Sequence, residues 1–138
     1  MDLYNILFKA HSGLRWLVAA LALIAIIKLL ITWLGKKEYS KMDNGLTRAF
    51  IGVMDLQMLL GLSLILWFWL NTDSVGLFRI EHGVTNLIAI AIAHYGSKKW
   101  KNAPGPIRAR NTLLMFLLAC VLIAVAITRL PQGWPMGS

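Results

Sequence analysis

The stretch RIEHGVTNLIAIAIAHYG, residues 79–96, decides how the chain folds. It is apolar enough to enter a membrane. Yet its first half carries Arg79, Glu81, His82, Thr85 and Asn86, and His94 stands near its end. Charged and polar groups at membrane depth cost kilocalories each unless protein buries and partners them. Such a helix is expected to be wrapped by others, with its polar face holding something.

Three more apolar runs surround it in the sequence: Leu14–Leu34, Ile51–Leu70 and Leu113–Leu130. Each is near the roughly 20 residues that a helix needs to cross a bilayer. With 58% hydrophobic and 14% charged residues, the composition excludes an ordinary water-soluble domain. The 138 residues allow at most one small domain, and four spans account for most of them. Short connections favour antiparallel neighbours. The fold class expected is therefore all-α: an integral membrane four-helix up-down bundle, with helices at about 11–34, 48–70, 75–96 and 111–130. Leu3, Ile6 and Leu7 share a side at helical spacing, so the first helix begins in the interface before His11. Pro104-Gly105-Pro106 cannot be helical throughout, and Pro131 and Pro135 end the last helix.

The net charge of +8 is distributed as a topology signal rather than as a nucleic-acid surface. Lys36, Lys37, Lys41 and Arg48 follow helix 1, and Lys98, Lys99, Lys101, Arg108 and Arg110 follow helix 3. The opposite side holds Lys9, Arg15, Arg79 and Arg129, so the ratio is nine against four. Basic loops stay cytoplasmic, which puts both termini outside. Trp16, Trp67, Trp69 and Trp134 then mark the outer boundary, and Trp33 and Trp100 the inner one. Lys28 lies inside helix 1 and can snorkel inward. The basic loops also suit anionic lipid. No basic segment leads into a small-residue cleavage site, so no removed signal peptide is expected.

Taken singly, His11 reads as an interfacial residue and His82 as a hydrogen-bonded packing residue, but as a pair they are the candidates for chemistry. Both fall toward the outer leaflet on helices that run the same way. Two neutral imidazoles facing each other across a bundle are a usual way to hold a six-coordinate haem b. Gly13 and Gly83 stand beside them and leave room for a porphyrin. Leu14, Arg15, Val18 and Ala22 share the His11 face, and Thr85, Asn86, Ala89 and Ala93 share the His82 face. Arg15, Arg79 and Arg129 are placed to pair with propionates. Glu81 can orient a ligand histidine or pair with an arginine. His94 lies about 18 Å further along the helix from His82 and about 120° around it, so it cannot serve the same haem. It is the candidate for a second, inner site, with Met54 or Asp55 as the nearest partner by depth. Otherwise it is a packing residue, or a quinone or proton contact.

Asp55 and Gln57 are about 200° apart on helix 2 and cannot face the same core. The outward one calls for a second subunit, a quinone or a polar headgroup, unless Gln57 is tucked into a helix–helix seam beside Gly61. Cys120 is single, so no disulfide forms within the chain, and it reads as a buried, inert thiol. There is no glycine-rich phosphate loop, no Ser/His/Asp pattern, no HExxH and no Cys/His zinc cluster. Hydrolytic and group-transfer chemistry have nothing to work with.

HSGLRW (11–16), DLQMLLGL (55–62) and EHGVTNLIAIAIAHYG (81–96) together resemble small four-helix bacterial membrane proteins of the cytochrome b, or cytochrome b561-like, group. The resemblance spans nearly the whole chain. It implies haem b and electron transfer within the membrane, often alongside quinone. Carried over by position, it makes His11 and His82 candidate ligands and His94 a candidate inner one. Such sequences often carry histidine where this chain has Asp55, a departure that breaks the inner pair and argues against a two-haem path. The same departure suits a member that has lost haem and persists as a structural subunit.

The function expected first is a membrane electron-transfer subunit of the bacterial inner membrane, too small for a stand-alone enzyme. One haem b near the outer face would exchange electrons with the quinone pool or a periplasmic carrier. The alternative is a haem-free accessory subunit of a larger membrane complex. A proton or ion path through Asp55, His82 and His94 ranks third. The accessory reading predicts a colourless purified chain that comes with large partners. The ion path predicts vesicle transport that is lost in Asp55→Asn.

Overall fold

A computed structural model describes residues 2–130. Trp134, Pro131 and Pro135 lie outside the described residues. The chain forms four helices: α1 (Leu3–Leu34), α2 (Lys41–Asn71), α3 (Leu77–Lys99) and α4 (Gly105–Thr128). No strand is present among the described residues.

Three helices start earlier than the apolar runs imply, each for a local reason. At α1, the Asp2 side chain accepts from the Asn5 amide at 2.8 Å. The helix therefore begins at Leu3, and His11 stands more than two turns inside it. At α2, Ser40 Oγ accepts from the Asp43 amide at 3.2 Å, and Asp43 Oδ2 accepts from the Ser40 amide at 2.7 Å. That reciprocal capping box starts the helix at Lys41 rather than near 48. At α4, the chain turns helical at Gly105, with Pro106 in the first turn, where a missing N–H costs nothing. Gly76 precedes α3 with φ at +88°, a conformation that side chains rarely adopt.

The helices form a ring. α1 packs on α2 and α4, and α3 packs on α4 and α2. Lys28 meets Asp43, and Tyr4 meets Trp67 and Phe68, along the α1–α2 seam. His82 meets Ala126, and Gly96 meets Thr112, along the α3–α4 seam. Ala25, Ala89, Ala93, Ala109 and Ala119 are wholly buried. Small side chains let the helix backbones approach closely. The two large buried rings, Phe50 and Phe116, fill the middle with centroids 4.9 Å apart. At Gly96 a Cβ would sit 2.5 Å from Met115 Cβ, so this crossing admits only glycine.

The outer surface is apolar: Leu23, Leu59, Leu62, Leu66, Leu87 and Val121 are all more than half or about half exposed. Water-soluble monomers rarely expose so much contiguous apolar surface. Three helices, α1, α2 and α4, are long and apolar enough to cross a membrane. α3 is not among them, because Arg79, Glu81, His82, Asn86 and His94 lower its hydropathy. These features are those of a membrane protein.

The buried polar network at the loop end joins α1 to α2. Lys28 Nζ lies 2.9 Å from Asp43 Oδ1 and 3.0 Å from Thr32 Oγ1, and Thr32 donates to the same carboxylate at 2.8 Å. The Asp43 side chain is fully buried, so Lys28 does more than snorkel. Removing one partner leaves the other desolvated and alone. Asp43→Ala is expected to lower stability by about 3–5 kcal/mol, and Lys28→Met combined with Asp43→Asn to recover part of the loss. Denaturant titration of the detergent-solubilised chain, followed by circular dichroism, measures both.

Candidate cofactor site

His11 on α1 and His82 on α3 face each other across the ring. Their ring centroids are 6.3 Å apart and their planes are inclined at 84°. The two helices are diagonal, so the contact depends on how α2 and α4 hold each ring.

α2 holds His11. Gln57 and Gly61 are one turn apart and share a face. Gln57 Nε2 donates to the His11 carbonyl at 2.7 Å. At Gly61 a Cβ would sit 3.1 Å from His11 Cε1, so the missing side chain is what lets the imidazole lie there. His11 Nδ1 and Gln57 Oε1 are buried without a hydrogen-bond partner among the described residues.

α4 holds His82. Its Nδ1 lies 3.3 Å from the Ala126 carbonyl oxygen, which can only accept. Nδ1 therefore carries the hydrogen, and Nε2 keeps the lone pair. Asn86 Nδ2 lies 3.3 Å from that nitrogen and donates to the His82 carbonyl at 2.7 Å. A ring N–H fixed by a backbone carbonyl is the arrangement that orients metal-binding histidines.

Beside the two rings lies a cavity of about 460 Å³. That falls within the size range of cofactor and ligand sites. Its walls are mostly apolar, with Val18, Ala22, Ile65, Ile90 and Ile123 among them, and Cys120 also lines it. Arg15 and Arg79 line it too. The Arg79 guanidinium lies 3.7 Å from the Phe68 ring centre and 4.5 Å from that of Phe78, and donates to the Val75 carbonyl at 2.8 Å. The Arg15 guanidinium lies 4.9 Å from the Trp16 ring centre.

The residues marked out in the sequence separate into three groups. His11, His82, Arg15, Arg79, Asn86, Gln57 and Gly83 all line the cavity. Arg129 does not: it is exposed and reaches Glu81 Oε2 at 3.3 Å. Ala89 and Ala93 are buried in the bundle core instead of the cavity wall, and Gly13 is exposed with nothing within 4 Å of a built Cβ. Asp55 and His94 form the third group. His94 Nε2 lies 2.8 Å from Asp55 Oδ1, at side-chain exposures of 37% and 48%, outside the cavity. Gln57 thus faces inward and Asp55 outward, and the carboxylate finds its partner within the same chain.

Gln57 does tuck into a helix–helix seam beside Gly61, but reading the sequence missed that Gly61 makes room there for the His11 ring. Its signal was the spacing to Gln57, visible in DLQMLLG, but nothing in the sequence says which histidine a glycine on another helix will meet.

The two imidazoles brought this close both line the cavity, and His11 and His82 would be the residues to hold a metal-centred group there. Among the described residues there is no group of three or more His, Cys, Asp or Glu side chains that could hold a bare ion. No family model, curated protein or solved structure matches the chain.

Gly61→Val is expected to displace the His11 ring while leaving helix content unchanged. The His11 Cε1 proton resonance should shift in Gly61→Val and stay in place in Gly13→Val, as measured by NMR with circular dichroism as the control.

Proposed function

We propose that this chain is an integral membrane b-type cytochrome, with one haem b bound between His11 and His82. The observation that carries the reading is the ring spacing of 6.3 Å. A haem held here would need a ring nitrogen from each histidine on its iron, and His11 and His82 are close enough for both to reach one group between them. The buried, unpartnered His11 Nδ1 and the fixed His82 tautomer support the same reading.

Haem supplies reversible one-electron chemistry when bound. The protein's own groups do the rest. Gln57 holds the His11 backbone and the Ala126 carbonyl sets the His82 ring, while Asn86, now beside Nε2, has to turn aside for a metal. Apolar walls keep water from the site, and Arg15 and Arg79 set positive charge beside it, where propionates would lie.

The wider reading is a four-span up-down bundle in a bacterial inner membrane, with basic loops cytoplasmic and both termini outside. The side-chain contacts between successive helices and the nine-to-four division of basic residues support it. Electrons would pass between the quinone pool and a periplasmic carrier, with the chain as one subunit of a larger complex.

A haem-free accessory subunit is the second reading. It is favoured by the contacts that close without a cofactor: Arg129 with Glu81, Arg79 with Val75 and Phe68, and Asp55 with His94.

The deciding experiment is an optical spectrum of the purified protein, oxidised and then dithionite-reduced, with pyridine haemochrome stoichiometry. One haem per chain with a sharp b-type α band is expected, and His11→Ala or His82→Ala should abolish the low-spin signal. A well-folded preparation made with haem available that stays colourless would end the cytochrome reading. So would a double alanine variant that kept the band.

A further inference from the structure

At the end of the bundle away from His11 and His82, four cations from three segments converge. Lys41 and Arg48 come from the first two turns of α2, Lys101 from the turn after α3, and Arg108 from the first turn of α4. With Tyr39 and Asn44 they line a recess of about 250 Å³, and no acidic residue lines it.

Like charges gathered at one place repel, and nothing in the recess offsets them. The nearest capping carboxylate, Asp43, is engaged elsewhere, by Lys28, Thr32 and Ser40. The Arg108 guanidinium is nevertheless fixed. It lies 3.8 Å from the Tyr39 ring centre, and the Tyr39 hydroxyl is locked to Thr47 Oγ1 at 2.9 Å. Burial pushes the Tyr39 phenol up from its ordinary range, although the Arg108 charge works against that, so the ring stays neutral beneath the cation. Arg108 Nε is buried and has no hydrogen-bond partner among the described residues. A planar, stacked guanidinium with an unused donor, ringed by three more cations, is built to receive an oxyanion.

We propose that this recess binds a phosphate group, carried by an anionic glycerophospholipid of the surrounding leaflet. Basic pockets between membrane helices commonly take such headgroups. α1 and α2 also present apolar side chains for acyl chains to lie on: Ile31 near the end of α1 and Met42 next to the recess residue Lys41 are about half exposed or more. The inference is independent of haem, because it uses none of the cavity residues.

The test is native mass spectrometry of the full chain in detergent, titrated with phosphatidylglycerol or with phosphatidylcholine, with and without inorganic phosphate. Phosphatidylglycerol should be retained in preference. Arg108→Gln should weaken its retention on the order of tenfold, the value of one charge-assisted contact, and Arg108→Lys by less. Arg110→Gln is the control: Arg110 bonds Asn111 at 3.0 Å and lies outside the recess, so retention should not change. Displacement by inorganic phosphate would uphold the phosphate site and name the soluble ion as its source. Equal retention of the two lipids, or equal losses in Arg108→Gln and Arg110→Gln, would overturn the proposal. If Arg108→Gln does not fold, Lys101→Gln takes its place with the same expectation.

Discussion

The outside of this bundle is as apolar as its inside, and that governs everything else about it. A helix face gains little by leaving hydrocarbon for another helix, so burial alone cannot choose which faces meet. Close packing and a few hydrogen bonds choose instead. The wholly buried alanines and Gly96 let the backbones approach, and Phe50 and Phe116 fill the space between. Gln57 with the His11 carbonyl and Lys28 with Asp43 then set the register of the α1–α2 seam toward its two ends, and His82 with the Ala126 carbonyl sets that of the α3–α4 seam. Each of these bonds also puts a functional or charged side chain where it stands. Stability and site geometry rest on the same small set of contacts.

Much of this was legible in the sequence, and the reasons differ by residue. The four helices follow from apolar length, and their early starts follow from caps. Ser40-Lys-Met-Asp43 is a readable capping box, yet the polar run from Lys36 to Thr47 looks like loop when hydropathy alone is followed. His11 and His82 share a depth by simple counting from the outer turn, and their pairing needs only that counting. The 200° between Asp55 and Gln57 correctly separates them. What it leaves open is which one turns inward, because that depends on Gly61 and His11, residues on two different helices.

The misplaced expectations have the same origin. Gly83 directly follows His82 and points about 100° away from it, whereas Gly13 comes two residues after His11 and points about 200° away. Only Gly83 turns toward the cavity. Arg129 is at the right height for the site, yet Glu81 takes it on the outer surface. Depth along a helix can be read from one chain segment, whereas direction around it is settled by the neighbours.

The most extensive seams are α1 with α2 and α3 with α4, whereas α2 and α3, although consecutive, meet less. The chain thus divides into two hairpins, and the histidine pair is shared between them, one ring from each. During synthesis the first hairpin emerges complete with Gly61 and Gln57 already around His11. His82 and its Ala126 carbonyl arrive only with the second. Neither half can bind anything from two sides by itself, so the site comes into being at the moment the hairpins meet. A chain cut in the turn at 72–76 would split that event into two molecules, each carrying one imidazole and the helix that orients it.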